Sequence, residues 1–197
     1  MKFIGFYDYT VILTYLSLVS AILGIFQASK GNLVFAVLCI IFSGCCDMFD
    51  GIVARSKNGR TEDQKNFGIQ IDSLVDVIAF GVTPAAVFYF HGVNSILGLI
   101  ILIFYVTCGV IRLGFFNVLE TKRQSDPNAS ACLDSFRGMP ITFSSIITPI
   151  ACTIAYVLPS EVGAWIYHIM PLLMGFFFIL DIKIPKINLA AVFSKKK

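Results

Sequence analysis

The chain has 197 residues, 57% of them hydrophobic and only 14% charged, with a formal net charge of +3. That balance excludes a soluble globular domain and points to a polytopic membrane protein, whose core is shared between helix packing and lipid. No nucleic-acid partner is expected.

About 20 apolar residues cross a bilayer as a helix. On that measure the sequence predicts an all-α bundle of six transmembrane helices in a single domain, 1–197, with spans at about 9–28, 33–54, 67–91, 95–117, 138–158 and 162–181. The first apolar run is too long for the apolar core of a signal peptide and is expected to stay as a span. Two polar connectors, 55–66 and 118–137, carry Arg55, Lys57, Arg60 and Lys65, and then Lys122, Arg123 and Arg137. Lys183, Lys186 and Lys195 to Lys197 follow the last span, and Lys30 stands on the opposite side. The positive-inside rule then puts both termini and both long connectors in the cytosol. Near the outer end of the sixth span, Trp165 and Tyr167 read as interfacial belt residues. The six cysteines (Cys39, Cys45, Cys46, Cys108, Cys132 and Cys152) form no C-x-x-C pair and no zinc-type cluster with histidine. They read as small hydrophobes, without a disulfide framework.

Against this background four acids stand out: Asp47 and Asp50 in the second span, Asp72 and Asp76 in the third. A carboxylate at the centre of a membrane helix costs roughly 2.5–3.5 kcal/mol on insertion scales. Asp47 and Asp50 are three residues apart and share a helix face, with Gly51 and Ala54 on the same side. Asp72 and Asp76 are four apart, and Gly68 lies four before Asp72. Each helix thus shows acids beside a missing or minimal side chain, which lets a bulky ligand approach the backbone. Asp47 precedes Arg55 by eight residues, about 12 Å of helix, so the acids lie in the cytosolic third of the bilayer. All-oxygen coordination of this kind suits Mg²⁺, Mn²⁺ or Ca²⁺, and four carboxylates suffice for two ions, the arrangement used in phosphoryl transfer. The thiols of Cys45 and Cys46 are too soft for such a site. Arg55 is placed either to hold a phosphate or to fix topology.

The pattern D-x2-D-G-x2-A-R followed by G-x3-D-x3-D resembles the signature of the CDP-alcohol phosphotransferase family, and the six-span layout extends the resemblance over most of the chain. One departure is the spacing from Arg55 to Gly68, twelve intervening residues where the family usually has about eight or nine. Within the family, residues 77–85 (VIAFGVTPA), 112–117 (RLGFFN) and 136–140 (FRGMP) are similar to the phosphatidylserine synthases. Val77 stands where phosphatidylglycerolphosphate synthases more often have lysine.

The resemblance implies attack of the serine hydroxyl on the β-phosphorus of CDP-diacylglycerol, releasing CMP. It implies two divalent ions, Mg²⁺ or Mn²⁺ with Ca²⁺ as a further choice, held by Asp47, Asp50, Asp72 and Asp76. Asp76 is carried over as the catalytic base, and Gly51, Ala54, Arg55 and Gly68 as the lining of the CDP site. Thr14 is either a polar contact to the nucleotide or a helix-packing residue. For serine the candidates are Arg112, Asn117 and Arg137. Arg112 lies inside a span, where serine binding, pairing with an aspartate and snorkelling all remain open. The family also implies a homodimer in a prokaryotic cytoplasmic membrane, surrounded by lipid, with the site facing the cytosol. The same chemistry with glycerol phosphate or inositol phosphate as acceptor is the alternative, and a divalent-cation transporter is a further one.

Overall fold

The computed structural model describes residues 5–6, 9–56, 59, 61–125, 135–181 and 183–185. Among them the chain forms six helical rods. α1 is Ile12–Ser29, led by a 3-10 turn at Tyr9–Val11, and α2 is Leu33–Ser56. α3 is Glu62–Phe90 and α4 is Ile96–Ser125. α5 is Ser144–Val157, led by a 3-10 turn at Ile141–Phe143, and α6 is Ser160–Ile179. Two three-residue strands, β1 (Ser135–Arg137) and β2 (Lys183–Pro185), pair antiparallel and tie the segment before α5 to the segment after α6.

Five of the rods are long and apolar enough to cross a membrane, and the α5 region, Ile141–Val157, is a shorter apolar helix. Large apolar side chains such as Phe26, Phe35, Ile96 and Trp165 face outward. This is an integral membrane protein, its outer surface suited to lipid.

Span boundaries move for local reasons. α3 begins five residues before the expected edge because Thr61 and Gln64 form a reciprocal capping box: Thr61 Oγ1 accepts from the Gln64 N–H and Gln64 Oε1 from the Thr61 N–H, both at 3.2 Å. Glu62 and Asp63 in the first turn favour the positive end of the helix dipole. α2 and α4 run past the apolar sequence into the polar connectors, since an established helix extends cheaply through good helix formers. Helix α5 starts late because Gly138 adopts φ +71° and Pro140 is extended. Tyr167 is not a belt residue. It is buried and packs against Phe88 with ring centroids 6.1 Å apart, while Trp165 is exposed.

Helices in lipid gain little from apolar burial against one another, so close approach and hydrogen bonds decide their packing. α1 and α2 form an antiparallel pair clasped by serines. The Ser43 hydroxyl donates to the Ser17 carbonyl (3.0 Å), Ser17 to the Ser43 carbonyl (3.5 Å) and Ser20 to the Cys39 carbonyl (2.9 Å). At Gly44, α2 meets α5 so closely that a Cβ would lie 2.5 Å from the Ser145 side chain.

Inside the bundle, buried residues of α3 recur every four positions: Asp76, Phe80, Pro84 and Phe88. An α-helix drifts by about 40° per four residues. The rod accommodates part of this drift with a π turn at Val77–Val82, between α-helical segments Glu62–Asp76 and Thr83–Phe90. Pro84 supplies the local cause. It has no N–H for the Phe80 carbonyl four residues back, and its ring would crowd that oxygen.

Gly44→Ala should therefore lower stability by about 1–3 kcal/mol through overpacking against α5. Thermal melting in detergent should show a reduced midpoint, largely recovered when Ser145→Gly is added.

Candidate functional site

The acidic faces of α2 and α3 meet. Oxygens of Asp47, Asp50 and Asp72, one from each carboxylate, all lie within 4.8 Å of one another. Asp76, one turn beyond Asp72, completes the group, with its carboxyl in hydrogen-bonding contact with that of Asp47. Asp50 and Asp72 touch in the same way. Both pairs bridge α2 and α3. Asp50 and Asp76 are each only 8% exposed. Ionised together, two carboxylates 4.8 Å apart repel by about 3–4 kcal/mol even at an effective dielectric near 20, so full ionisation of the group calls for positive charge between the helices.

Asp50 is the most supported of the four. The buried Thr14 of α1 donates its hydroxyl to Asp50 Oδ2 at 3.2 Å, and the Gly51 backbone also bonds the carboxylate. Thr14 thus has a defined partner within the acidic group. Gly51 and Gly68 are half-buried, on α2 and α3 respectively. The side chains of Ala54, Arg55 and Arg137 lie outside the described residues, as do Cys132, Lys57, Arg60, Lys186 and Lys195–Lys197.

α4 brings up the polar residues expected to bind the second substrate. Asn117 Oδ1 accepts from Ser73 Oγ at 3.0 Å, which fixes this end of α4 beside the residue that follows Asp72. Arg112 lies just over a turn deeper and is 7% exposed. Its Nε donates to the Met139 carbonyl at 3.3 Å, and its guanidinium carbon sits 5.8 Å from the centre of the Phe116 ring. Of the three options open for Arg112, snorkelling does not describe a side chain this enclosed. The partner seen is a backbone carbonyl rather than an aspartate. Gly138 makes that placement feasible, since a Cβ there would meet the Leu180 and Phe178 carbonyls at 3.1 and 3.2 Å and Arg112 Nε at 3.4 Å.

Sequence reasoning missed Ser73 and Tyr105. Ser73 adjoins Asp72, but its partner is 44 positions away and no periodic pattern links them. Tyr105 sits in an apolar stretch of α4, where its hydroxyl carries no visible signal. Its bonds reach the Phe80 carbonyl and Ser144 Oγ.

An apolar groove of about 560 Å³ runs along the outer side of α1 and α2, lined by residues including Leu16, Val19, Phe35, Leu38 and Phe42. It ends at Cys45, two residues before Asp47.

Comparison with known proteins agrees with the geometry. The chain is 32% identical over 174 residues to a CDP-diacylglycerol–serine O-phosphatidyltransferase of Methanocaldococcus jannaschii, covering 87% of this chain and 72% of that protein. It is 37% identical over 133 residues to a Helicobacter pylori protein of the same name, covering 66% of this chain and 51% of that one. An archaetidylserine synthase of Methanothermobacter thermautotrophicus is 35% identical over 140 residues, covering 68% and 53%. The chain thus spans about half the length of the last two relatives. The family model for CDP-alcohol phosphatidyltransferase matches residues 9–181, from the 3-10 turn before α1 to the end of α6, and the chain belongs to that family.

Proposed function

We propose that the protein transfers the phosphatidyl group of CDP-diacylglycerol to the hydroxyl of serine, yielding phosphatidylserine and CMP. The observation that carries this reading is the convergence of Asp47, Asp50 and Asp72 from two helices, within a chain of this family. The choice of serine is supported by relatives whose names specify a serine acceptor or product.

Clustered carboxylate oxygens fit a hard divalent cation, Mg²⁺ or Mn²⁺, with Ca²⁺ matched by donor type. Asp47, Asp50 and Asp72 would hold it, and Asp76 would join them in a two-ion set. When bound, such ions supply positive charge at the diphosphate and at the departing CMP oxygen. Thr14 keeps Asp50 aimed into the cluster. Gly51, Ala54, Arg55 and Gly68 line the path of the CDP group, Gly51, Ala54 and Gly68 leaving room at the backbone and Arg55 offering a forked contact to phosphate. Asp76 takes the serine hydroxyl proton. The serine oxygen bonds to the β-phosphorus, the bond from that phosphorus to the CMP oxygen breaks, and CMP leaves with the electron pair.

Arg112 receives the serine carboxylate, and Asn117 and Arg137 are the further candidates for that substrate. The Arg112 Nε bond to Met139 fixes the guanidinium plane, and its remaining N–H groups suit a forked carboxylate contact. The apolar groove on α1 and α2 accepts a lipid chain from the side. The basic connectors favour a site facing the cytosol, and the membrane we assign is a prokaryotic cytoplasmic one. The family resemblance favours a homodimer.

Purified protein given CDP-diacylglycerol should release CMP when serine is added, lose that activity to a chelator and regain it with Mg²⁺ or Mn²⁺. CMP release with glycerol phosphate or inositol phosphate, and none with serine, would move the protein to another acceptor class. Asp76→Asn should lower turnover by about 10²–10⁴-fold while CDP-diacylglycerol still binds. A binding loss equal to that of Asp47→Asn would make Asp76 chiefly a metal ligand. Arg112→Ala should raise the KM for serine about ten- to a hundredfold, the loss of a charge-assisted bond, and leave that for the nucleotide lipid within about twofold. Steady-state kinetics in both substrates separates this from a general loss.

A further inference from the structure

The π turn of α3 starts at the residue after Asp76 and is held from outside the helix. Its Phe80 carbonyl, denied an α-helical partner by Pro84, accepts a hydrogen bond from the Tyr105 hydroxyl of α4. That bond uses the only proton of the phenol, so Ser144 of α5 donates in turn to the Tyr105 oxygen, at 2.9 Å. Phe80, Tyr105 and Ser144 are all 0% exposed. A second hydroxyl secures the same turn: Thr83 Oγ1 lies 2.9 Å from the Ile78 carbonyl and 3.3 Å from the Ala21 carbonyl of α1. The turn beside Asp76 is thereby tied to α1, α4 and α5.

We propose that the Tyr105 hydroxyl is a positioning group for phosphatidyl transfer, acting through the π turn to set the direction in which Asp76 enters the carboxylate cluster. The inference rests on the proposed catalytic role of Asp76. Asp76 must reach Asp47 on α2 while Phe80, Pro84 and Phe88 point into the core. A regular α-helix would spread the four over about 120°, because the four-residue repeat drifts by about 40° each time. The wider turn reconciles them, and it exposes a carbonyl that needs a donor in a place water does not reach. Tyr105 supplies the donor from a neighbouring rod. Its ring also packs on Phe178, with centroids 5.6 Å apart, so loss of the hydroxyl and loss of the ring are separable.

Tyr105→Phe tests this. It should lower kcat about ten- to a hundredfold, the scale of a misplacement of about 1 Å, with the KM of each substrate within about twofold. Ser144→Ala should give a smaller fall of the same kind. In a Pro84→Ala background, where residue 84 regains an N–H for the Phe80 carbonyl, adding Tyr105→Phe should cost little more. Turnover is measured with whichever alcohol the wild-type protein uses. A non-serine acceptor would therefore count against the proposed function and leave this comparison intact. Wild-type kcat in Tyr105→Phe overturns the inference, as does a fall in kcat accompanied by equal losses in both KM values and in thermal midpoint. If no alcohol supports turnover, the electron paramagnetic resonance spectrum of bound Mn²⁺ decides: a changed spectrum in Tyr105→Phe at an unchanged melting midpoint supports the inference, and an unchanged spectrum overturns it.

Discussion

Repulsion among four carboxylates at the α2–α3 contact is the constraint around which the bundle is organised. Asp47, Asp50, Asp72 and Asp76 would push the two helices apart if nothing opposed them. The opposing contacts are distributed over the other rods. The serine clasp holds α2 to α1, Gly44 lets α5 press against α2, and Thr14 reaches from α1 to steady Asp50. α3 is tied by its Ser73 bond to α4 and by the carbonyls of its π turn. Acids and restraints together give a site that is rigid yet deficient in positive charge, the condition under which a divalent cation binds with little rearrangement.

The site also has a division of polarity along the bundle. Acidic groups come from α2 and α3, while the buried cation Arg112 comes from α4 and is held by the Gly138–Met139 segment. That segment is in turn held by α6, through the Met139 N–H to the Phe177 carbonyl at 3.2 Å, and by the β1–β2 pair just before it. A buried guanidinium bonded to a neutral carbonyl retains its charge for an anionic partner. In the proposed reaction that anionic partner would be the carboxylate of serine.

The sequence made the acids legible because carboxylates at three- and four-residue spacing beside glycines have few innocent explanations in apolar sequence. Five spans were readable from length and hydropathy, and so was the shorter fifth helix, though with less exact edges. The early start of α3 depends on Thr61 and Gln64 bonding each other in a polar stretch, which hydropathy does not register. Tyr167 was misjudged because its depth favoured a belt role, whereas the rotational phase of α6 turns it toward Phe88. Partners distant in sequence, such as Ser73 with Asn117 and Tyr105 with Phe80, leave no periodic trace. The π turn had a local marker in Pro84, yet proline is common enough in membrane helices that the marker alone does not identify it.

Depth connects the site to its lipid. Asp47 lies six residues from the polar end of the Leu33–Val53 stretch, about 9 Å along the helix, and Asp72 ten residues into Glu62–Phe90, about 15 Å. Both are well short of the middle of a hydrocarbon core about 30 Å thick once the leading polar turn of α3 is discounted. In the proposed reaction a diphosphate anchored by lipid chains would rest near that level, and a water-soluble alcohol would reach it without crossing the bilayer. Acids placed deeper would face a larger desolvation cost and lie beyond the lipid headgroup. Acids placed in a connector would lose the fixed geometry that helices impose. Asp47 and Asp72 stand on helical rods about two and three turns from the ends of their apolar stretches, which meets both demands and accounts for acids carried on helix faces rather than in loops.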